Sequence, residues 1–245
     1  MLAILGGSGL AQLSSLSETT RIAARTAFGE PSGPLTLGRI GGREVIFLAR
    51  HGDAHSIPPH QVNYRANIRA LKDAGATRIA AVATVGGIRR EFGPGALVVP
   101  DQIIDYTWGR ASTFFEGPGT KVTHIDFTEP YTAGLRKAIL AAARACGESI
   151  ADGGCYGTTQ GPRLESAAEI ARMERDGADL VGMTAMPEAA LAREAGLEYA
   201  AIAVVANHAA GKGDSAHAIS LSAIEAVVEQ AMQRVRRILE KLAAS

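Results

Sequence analysis

The 245-residue chain is 47% hydrophobic and 20% charged, enough apolar content to bury a sizeable core; wholesale disorder is excluded and one domain over residues 1–245 is expected. Its 25 Lys and Arg residues balance 25 Asp and Glu residues, so no overall charge draws it to nucleic acid or to an anionic membrane, and any anion it binds needs a local site. Cys146 and Cys155 make neither a disulfide framework nor a metal cluster, the opening MLAILGGSGL lacks a basic leader, and no apolar run reaches the roughly 18 residues of a membrane helix. A soluble, cytoplasmic protein is expected.

In chain order, Leu2–Leu5, Glu44–Ala49, Ile79–Val85, Ala96–Ile104, Leu180–Met183 and Tyr199–Val205 are short apolar runs with Val and Ile well represented, the pattern of strands buried on both faces. Between them lie segments of helical period. Leu135, Ile139, Ala142 and Cys146 form one stripe, which makes Cys146 a small buried hydrophobe and Gly147 the helix terminator. Glu165 opens a helical pattern continued by Ala168, Ile170 and Met173, and Pro187 suits the first position of another helix. The last helix carries Ile224, Val228, Ala231, Val235, Ile238 and Leu242 inward and Arg234, Arg236 and Arg237 outward as solvated surface. Residues 110–130 and 207–220 have little periodicity and read as loops with room to move. Strands and helices taking turns predict an α/β sheet.

Most of the predicted strands run out into residues that can do chemistry, which is where open α/β sheets bind ligands. Gly6-Gly7-Ser8-Gly9 lets backbone N–H groups approach an anion, and the Ser8 hydroxyl adds a donor. There is no P-loop Lys, and Gln12 stands where a dinucleotide fingerprint wants its third glycine. Arg50 and His51 set a guanidinium fork beside an imidazole that can add a donor, a pair suited to phosphate oxygens; an ion pair with a nearby carboxylate is the plainer alternative. His55 and His60 lack metal-ligand spacing, so no metal is expected. Glu165 either accepts a ring N–H or favours the positive end of its helix. Thr184 either caps the following helix or donates to an anion. The Asn207 amide presents a donor and an acceptor to a heterocycle edge, or forms a turn.

GGSGL at 6–10, ARHG at 49–52, VNYRANIRAL at 62–71, TVGGIR at 84–89, TQGPRLES at 159–166, GMTAMPEAALAREAG at 182–196 and AVVANHAAG at 203–211 resemble, in order and spacing, the trimeric purine nucleoside phosphorylases. Within that group the chain is most similar to the methylthioadenosine and methylthioinosine phosphorylases. The resemblance implies a mixed, partly barrel-like central sheet flanked by helices, assembled as a homotrimer. It implies a phosphate site at Ser8, Arg50, His51, Ala83, Thr84 and Thr184, in which the hydroxyl contact that Ala83 cannot make is either missing or supplied by Thr84. Met183 then lies beneath the ribose and Leu164 against the base. His55, and His124 from a neighbouring subunit, approach the 5′ substituent, near Ala218, Ile219 and Leu221.

Two departures bear on substrate. Methylthioadenosine phosphorylases carry Asp where this chain has Asn207 and again where it has Ala209, and carboxylates suit adenine. An Asn amide donating to O6 and accepting from N7–H, with Glu165 accepting from N1–H, suits a 6-oxopurine. Leu221 stands where inosine and guanosine enzymes usually carry His, with His217 close by, and an apolar wall favours a 5′-methylthio group. The expectation is phosphorolysis of methylthioinosine, with Asn207, Glu165 and His51 as catalytic groups, inorganic phosphate as co-substrate and no other cofactor. Phosphorylases of inosine and guanosine or of methylthioadenosine, a nucleosidase and a noncatalytic purine- or phosphate-binding module are the alternatives.

Overall fold

Leu2, Ala3, Ile4 and Leu5 are all buried, as a strand with neighbours on both edges and helices on both faces requires. In the computed structural model, which describes residues 1–10, 13 and 15–245, β1 (Leu2–Gly6) lies parallel between β4 (Arg43–Ala49) and β5 (Arg78–Gly87). Gln12 falls outside the described residues. Successive side chains go to opposite faces. Ile4, Phe47 and Val82 pack with α2 (Ala133–Ala145) and α5 (Leu221–Ala243). Leu5, Leu48 and Ala81 pack with α1 (Tyr64–Asp73) and α4 (Ala185–Glu194).

The eleven-stranded mixed sheet divides at β5. One edge of β5 carries β11 (Glu198–His208) along its whole length, and β11 in turn pairs β6 (Leu97–Val99). The other edge meets β1 first and then, at Gly86 and Gly87, the antiparallel β10 (Leu180–Gly182). Pro100, without an N–H to donate, breaks the single strand expected over Ala96–Ile104 into β6 and β7 (Gln102–Asp105). Gly153 and Gly154 bend its partner in the same way into β8 (Ala151–Asp152) and β9 (Cys155–Thr158), and Asp101 Oδ1 accepts from the Gly154 amide at 2.9 Å across the corner. Since β6 pairs β8, β7 pairs β9 and β9 pairs β10, the circuit returns to β5. This is the partly barrel-like arrangement.

β2 (Ser17–Ile22) and β3 (Leu35–Ile40) extend the far side beyond β4. β2 is exposed at all six positions, so it offers no apolar pattern to read. α3 (Ala167–Arg175) begins after Glu165 and not at it, capped by Ser166 and Glu169 in a reciprocal box. Pro187 opens the regular part of α4, as expected, because Met186 before it is extended (φ −117°, ψ 138°). Arg234 is not solvated surface: it donates to Glu148 Oε2 at 2.8 Å, Gly95 O at 2.8 Å and Ser149 O at 2.6 Å, fastening α5 to the end of α2. Among the described residues no helix is long and apolar enough to cross a membrane.

Candidate active site

The division of the sheet makes the site. Between Ala81, where β1 stops pairing, and Gly86, where β10 begins, one edge of β5 is left open over Val82–Val85, and a cavity of about 700 Å³ lies against it. Ser8, Arg50, His51, His55, Ala83, Thr84, Leu164, Glu165, Met183, Thr184, Asn207 and Ala209 all line this cavity, although they come from distant parts of the chain. Ile219 and Leu221 line it too. His124 is exposed and, like His217 and Ala218, is not among the lining residues of this single chain.

At one end the loop after β1 turns back onto β5. A Cβ on Gly7 would come within 2.5 Å of Val82 O and 3.0 Å of Arg50 Nη1, so only glycine lets backbone amides approach this closely. Thr84 Oγ1 donates to Ser8 O at 3.2 Å, and Ser8 Oγ lies 3.3 Å from His55 Nε2. The Thr84 proton is thereby directed at the loop.

Arg50 corrects the free phosphate fork expected from sequence. It is 1% exposed and bonded through Nε and Nη2 to Glu188 at 2.6 and 2.8 Å; Glu188 is itself 0% exposed. Nη1 donates to Val82 O at 2.9 Å and Nη2 reaches Leu5 O at 3.5 Å, which leaves one of the five guanidinium N–H groups uncommitted. Burial works to discharge Arg50, but the Glu188 carboxylate prevails and raises its pKa. Tyr199 donates to Glu188 Oε1 at 2.7 Å and completes a buried triad.

His51 is 7% exposed, and its Nδ1 lies 2.8 Å from Ile57 O. A carbonyl only accepts, so Nδ1 carries the proton. Burial, then the Arg50 charge, lower the ring pKa to about 4. The neutral ring therefore offers the cavity an acceptor at Nε2, not the donor expected. Thr184 stands at the N-cap of α4 without a side-chain capping bond and lines the cavity.

At the other end Thr159 Oγ1 donates to Glu165 Oε1 at 2.6 Å. Glu165 is thus held by a hydroxyl, while the carboxylate serving the start of α3 is Glu169. On the opposite wall the β5–β11 register slips between Val205 and Asn207, making Ala206 a bulge residue; bulges re-aim the side chain that follows. Asn207 Nδ2 donates to His208 O at 2.6 Å. That bond fixes the amide polarity, because a flipped amide would set two oxygens against each other. Leu164 is 42% exposed beside this end, and a Cβ on Gly161 would come within 2.5 Å of Met183 Sδ.

Glu188, Tyr199, Thr159 and Arg110 were not anticipated. Glu188 carried a signal, since a buried Arg requires a carboxylate, but nothing local identifies which one. Arg110, in the segment expected to be a loose loop, donates to Met183 O, Met186 O, Thr159 O and Gln160 O.

Residues 1–244 match the phosphorylase superfamily. A probable S-methyl-5′-thioinosine phosphorylase of Xanthomonas campestris pv. campestris is 54% identical over 242 residues, covering 99% of this chain and 96% of that one. A 6-oxopurine nucleoside phosphorylase of Pyrococcus furiosus is 47% identical over 215 residues, 86% of this chain and 80% of the relative. Among solved structures, methylthioadenosine phosphorylase from Schistosoma mansoni in complex with adenine superposes with a TM-score of 0.94 at 33% identity, covering 99% of this chain and 90% of that chain. With a family match over nearly its whole length, the chain belongs to the phosphorylase superfamily.

Proposed function

We propose that this protein catalyses the reversible phosphorolysis of S-methyl-5′-thioinosine to hypoxanthine and 5-methylthio-α-D-ribose 1-phosphate. The observation that carries the reading is the Asn207 amide, pinned by His208 O with its donor and acceptor in fixed places, in one cavity with the Glu165 carboxylate and the Ser8–Arg50–Thr184 end. Asn207 Nδ2 donates to O6, its Oδ1 accepts from N7–H, and Glu165 accepts from N1–H. A buried polar group left unpaired penalises the wrong base more than an extra contact favours the right one, and adenine would leave the amide donor facing an amino group. The Xanthomonas campestris relative, named for methylthioinosine, supports the same choice.

In the reaction a phosphate oxygen forms the bond to C1′ as the C1′–N9 bond breaks, and the bonding pair leaves with the purine. Phosphate held by Ser8, Arg50, the His51 region, the Ala83–Thr84 backbone and Thr184 brings its charge beneath the developing oxocarbenium ion. Asn207 is no acid, so the proton at N7 comes from water and Asn207 stabilises the protonated base. Met183 lies below the ribose, with Leu164 beside the base. This scheme calls for no metal or organic cofactor. Exposed Trp108, Phe115 and Val122 on the segment that carries His124 support a homotrimer in which His124 approaches a neighbour's 5′ group, and the location that goes with this proposal is the cytoplasm.

A second reading, an inosine or guanosine phosphorylase, is favoured by the Pyrococcus furiosus relative. Apolar Ile219, Leu221 and Ile224 at the cavity wall support the methylthio substituent instead. One assay decides: methylthioinosine, methylthioadenosine, inosine and guanosine compared with and without phosphate. Cleavage at full rate without phosphate refutes the proposal.

A further inference from the structure

Arg110 is a half-buried cation spent entirely on uncharged oxygens. Its Nε donates to Gln160 Oε1 at 3.2 Å, its Nη1 to Met183 O at 2.8 Å, Met186 O at 2.6 Å and the Tyr64 hydroxyl at 3.3 Å, and its Nη2 to Thr159 O at 3.2 Å and Gln160 O at 2.9 Å. Among the described residues no carboxylate lies within ion-pair distance of it. Five N–H groups thus meet six oxygens, a fan that the single ammonium of a Lys cannot reproduce.

Five of the six oxygens belong to two segments with different tasks; the sixth is the Tyr64 hydroxyl at the start of α1. Thr159 and Gln160 lead into Glu165, and Thr159 Oγ1 holds the Glu165 carboxylate directly. Met183 and Met186 bracket Thr184 at the entry to α4. The two segments leave the paired strands β9 and β10 side by side, and Thr159 N donating to Gly182 O at 2.8 Å and Gly161 against Met183 continue that contact. Beyond the ladder the guanidinium plane ties Gln160 to Met183 and Met186, gripping both segments at once.

We infer that Arg110 is a positioning residue for the nucleoside half of the site, setting Glu165 relative to Met183 and so governing base selectivity; this rests on the proposed contact of Glu165 with the base. It touches no reacting atom. Its effect falls more on the nucleoside than on phosphate: the Ser8 loop, Arg50 and β5 receive nothing from it, and of the proposed phosphate contacts only Thr184 lies between residues that it holds.

Arg110→Ala and Arg110→Lys separate this from a merely structural role. In both, the nucleoside KM should rise roughly tenfold or more and the preference for methylthioinosine over methylthioadenosine should shrink, while the phosphate KM rises by a clearly smaller factor through Thr184 alone. Added guanidinium ion, below denaturing concentration, should restore the nucleoside KM of Arg110→Ala. If that variant does not fold, Arg110→Lys, which keeps the charge and most of the stem, carries the same test. A folded variant with wild-type nucleoside KM and selectivity overturns the inference. So does an equal rise in both KM values with a lowered melting temperature and no rescue. Glu165→Gln, assayed alongside, distinguishes the two levels: altered selectivity there with none in the Arg110 variants defeats only Arg110's role, whereas unaltered selectivity there defeats the base contact itself.

Discussion

Asn207→Asp tests base selection most directly. In the wild-type chain the amide nitrogen donates to His208 O at 2.6 Å, so the remaining amide hydrogen and Oδ1 face the cavity. A carboxylate has no hydrogen for His208 O, and two acceptors would meet at that spacing. The donor to O6 disappears as well. Losing one such bond and leaving a partner unsatisfied costs about 1–3 kcal/mol, roughly five- to 150-fold in kcat/KM for methylthioinosine. Methylthioadenosine gains an acceptor for its amino group, offset by the clash with His208 O. The efficiency ratio should therefore move toward methylthioadenosine, chiefly through loss of the 6-oxopurine. The neighbouring carbonyl and partial burial raise the pKa of the new carboxyl. Its protonated form donates again, so methylthioinosine activity of the variant should be greatest below that pKa and fall as pH rises through it. Steady-state kinetics on both nucleosides across pH measure this. An unmoved ratio at every pH refutes the argument that amide polarity selects the base.

Arg50→Met leaves Glu188 buried without its counter-charge and should cost about 3–5 kcal/mol in urea denaturation, with a sharply raised phosphate requirement; unchanged phosphate saturation would remove Arg50 from the anion site. Burial and Arg50 lower His51 from 6.5 to about 4. Between those values the unfolded chain binds more protons than the folded one, so this contribution to stability is complete above pH 6.5 and is lost as pH falls toward 4. Denaturation across that window should show a steeper loss in the wild type than in His51→Gln, and parallel slopes would contradict the assignment. Leu221 lines the cavity yet is 66% exposed. At about 0.8 kcal/mol per buried methylene, Leu221→Ser should reduce the preference for methylthioinosine over inosine by a few-fold, read as the ratio of kcat/KM values, and an unchanged ratio would place the methylthio group elsewhere.

Much of the frame was legible because β1, β4, β5, β10 and β11 are buried on both faces and so are written as unbroken apolar runs. β2 was not, since six exposed residues hold their strand only by pairing with β3. The chemistry-bearing candidates were legible for a related reason: polar residues directly after a buried strand stand out against it. What could not be read is what those residues touch. Glu188 lies 138 positions from Arg50, and its pairing follows from the parallel packing of β1, β4 and β5 against α4. The Ala206 bulge that aims Asn207 is a mismatch between two strands, visible in neither alone. Arg110 sits in a segment without periodicity, and its role arises only where two other segments converge.

The carboxylate behind Arg50 bears on catalysis as well as stability. A buried guanidinium with no counter-ion would grip phosphate strongly before any bond changes, and binding that is equal in the ground and transition states lowers KM without raising kcat. It would also draw phosphate charge away from the sugar. With Glu188 cancelling most of the Arg50 charge and His51 neutral, the anion end offers mainly hydroxyls and amides. On the proposed mechanism these orient the phosphate but leave its charge largely unquenched, available to the ribose cation as the glycosidic bond lengthens. On the same mechanism Glu188, buried behind Arg50 and off the cavity wall, limits how much of the phosphate charge the guanidinium takes up.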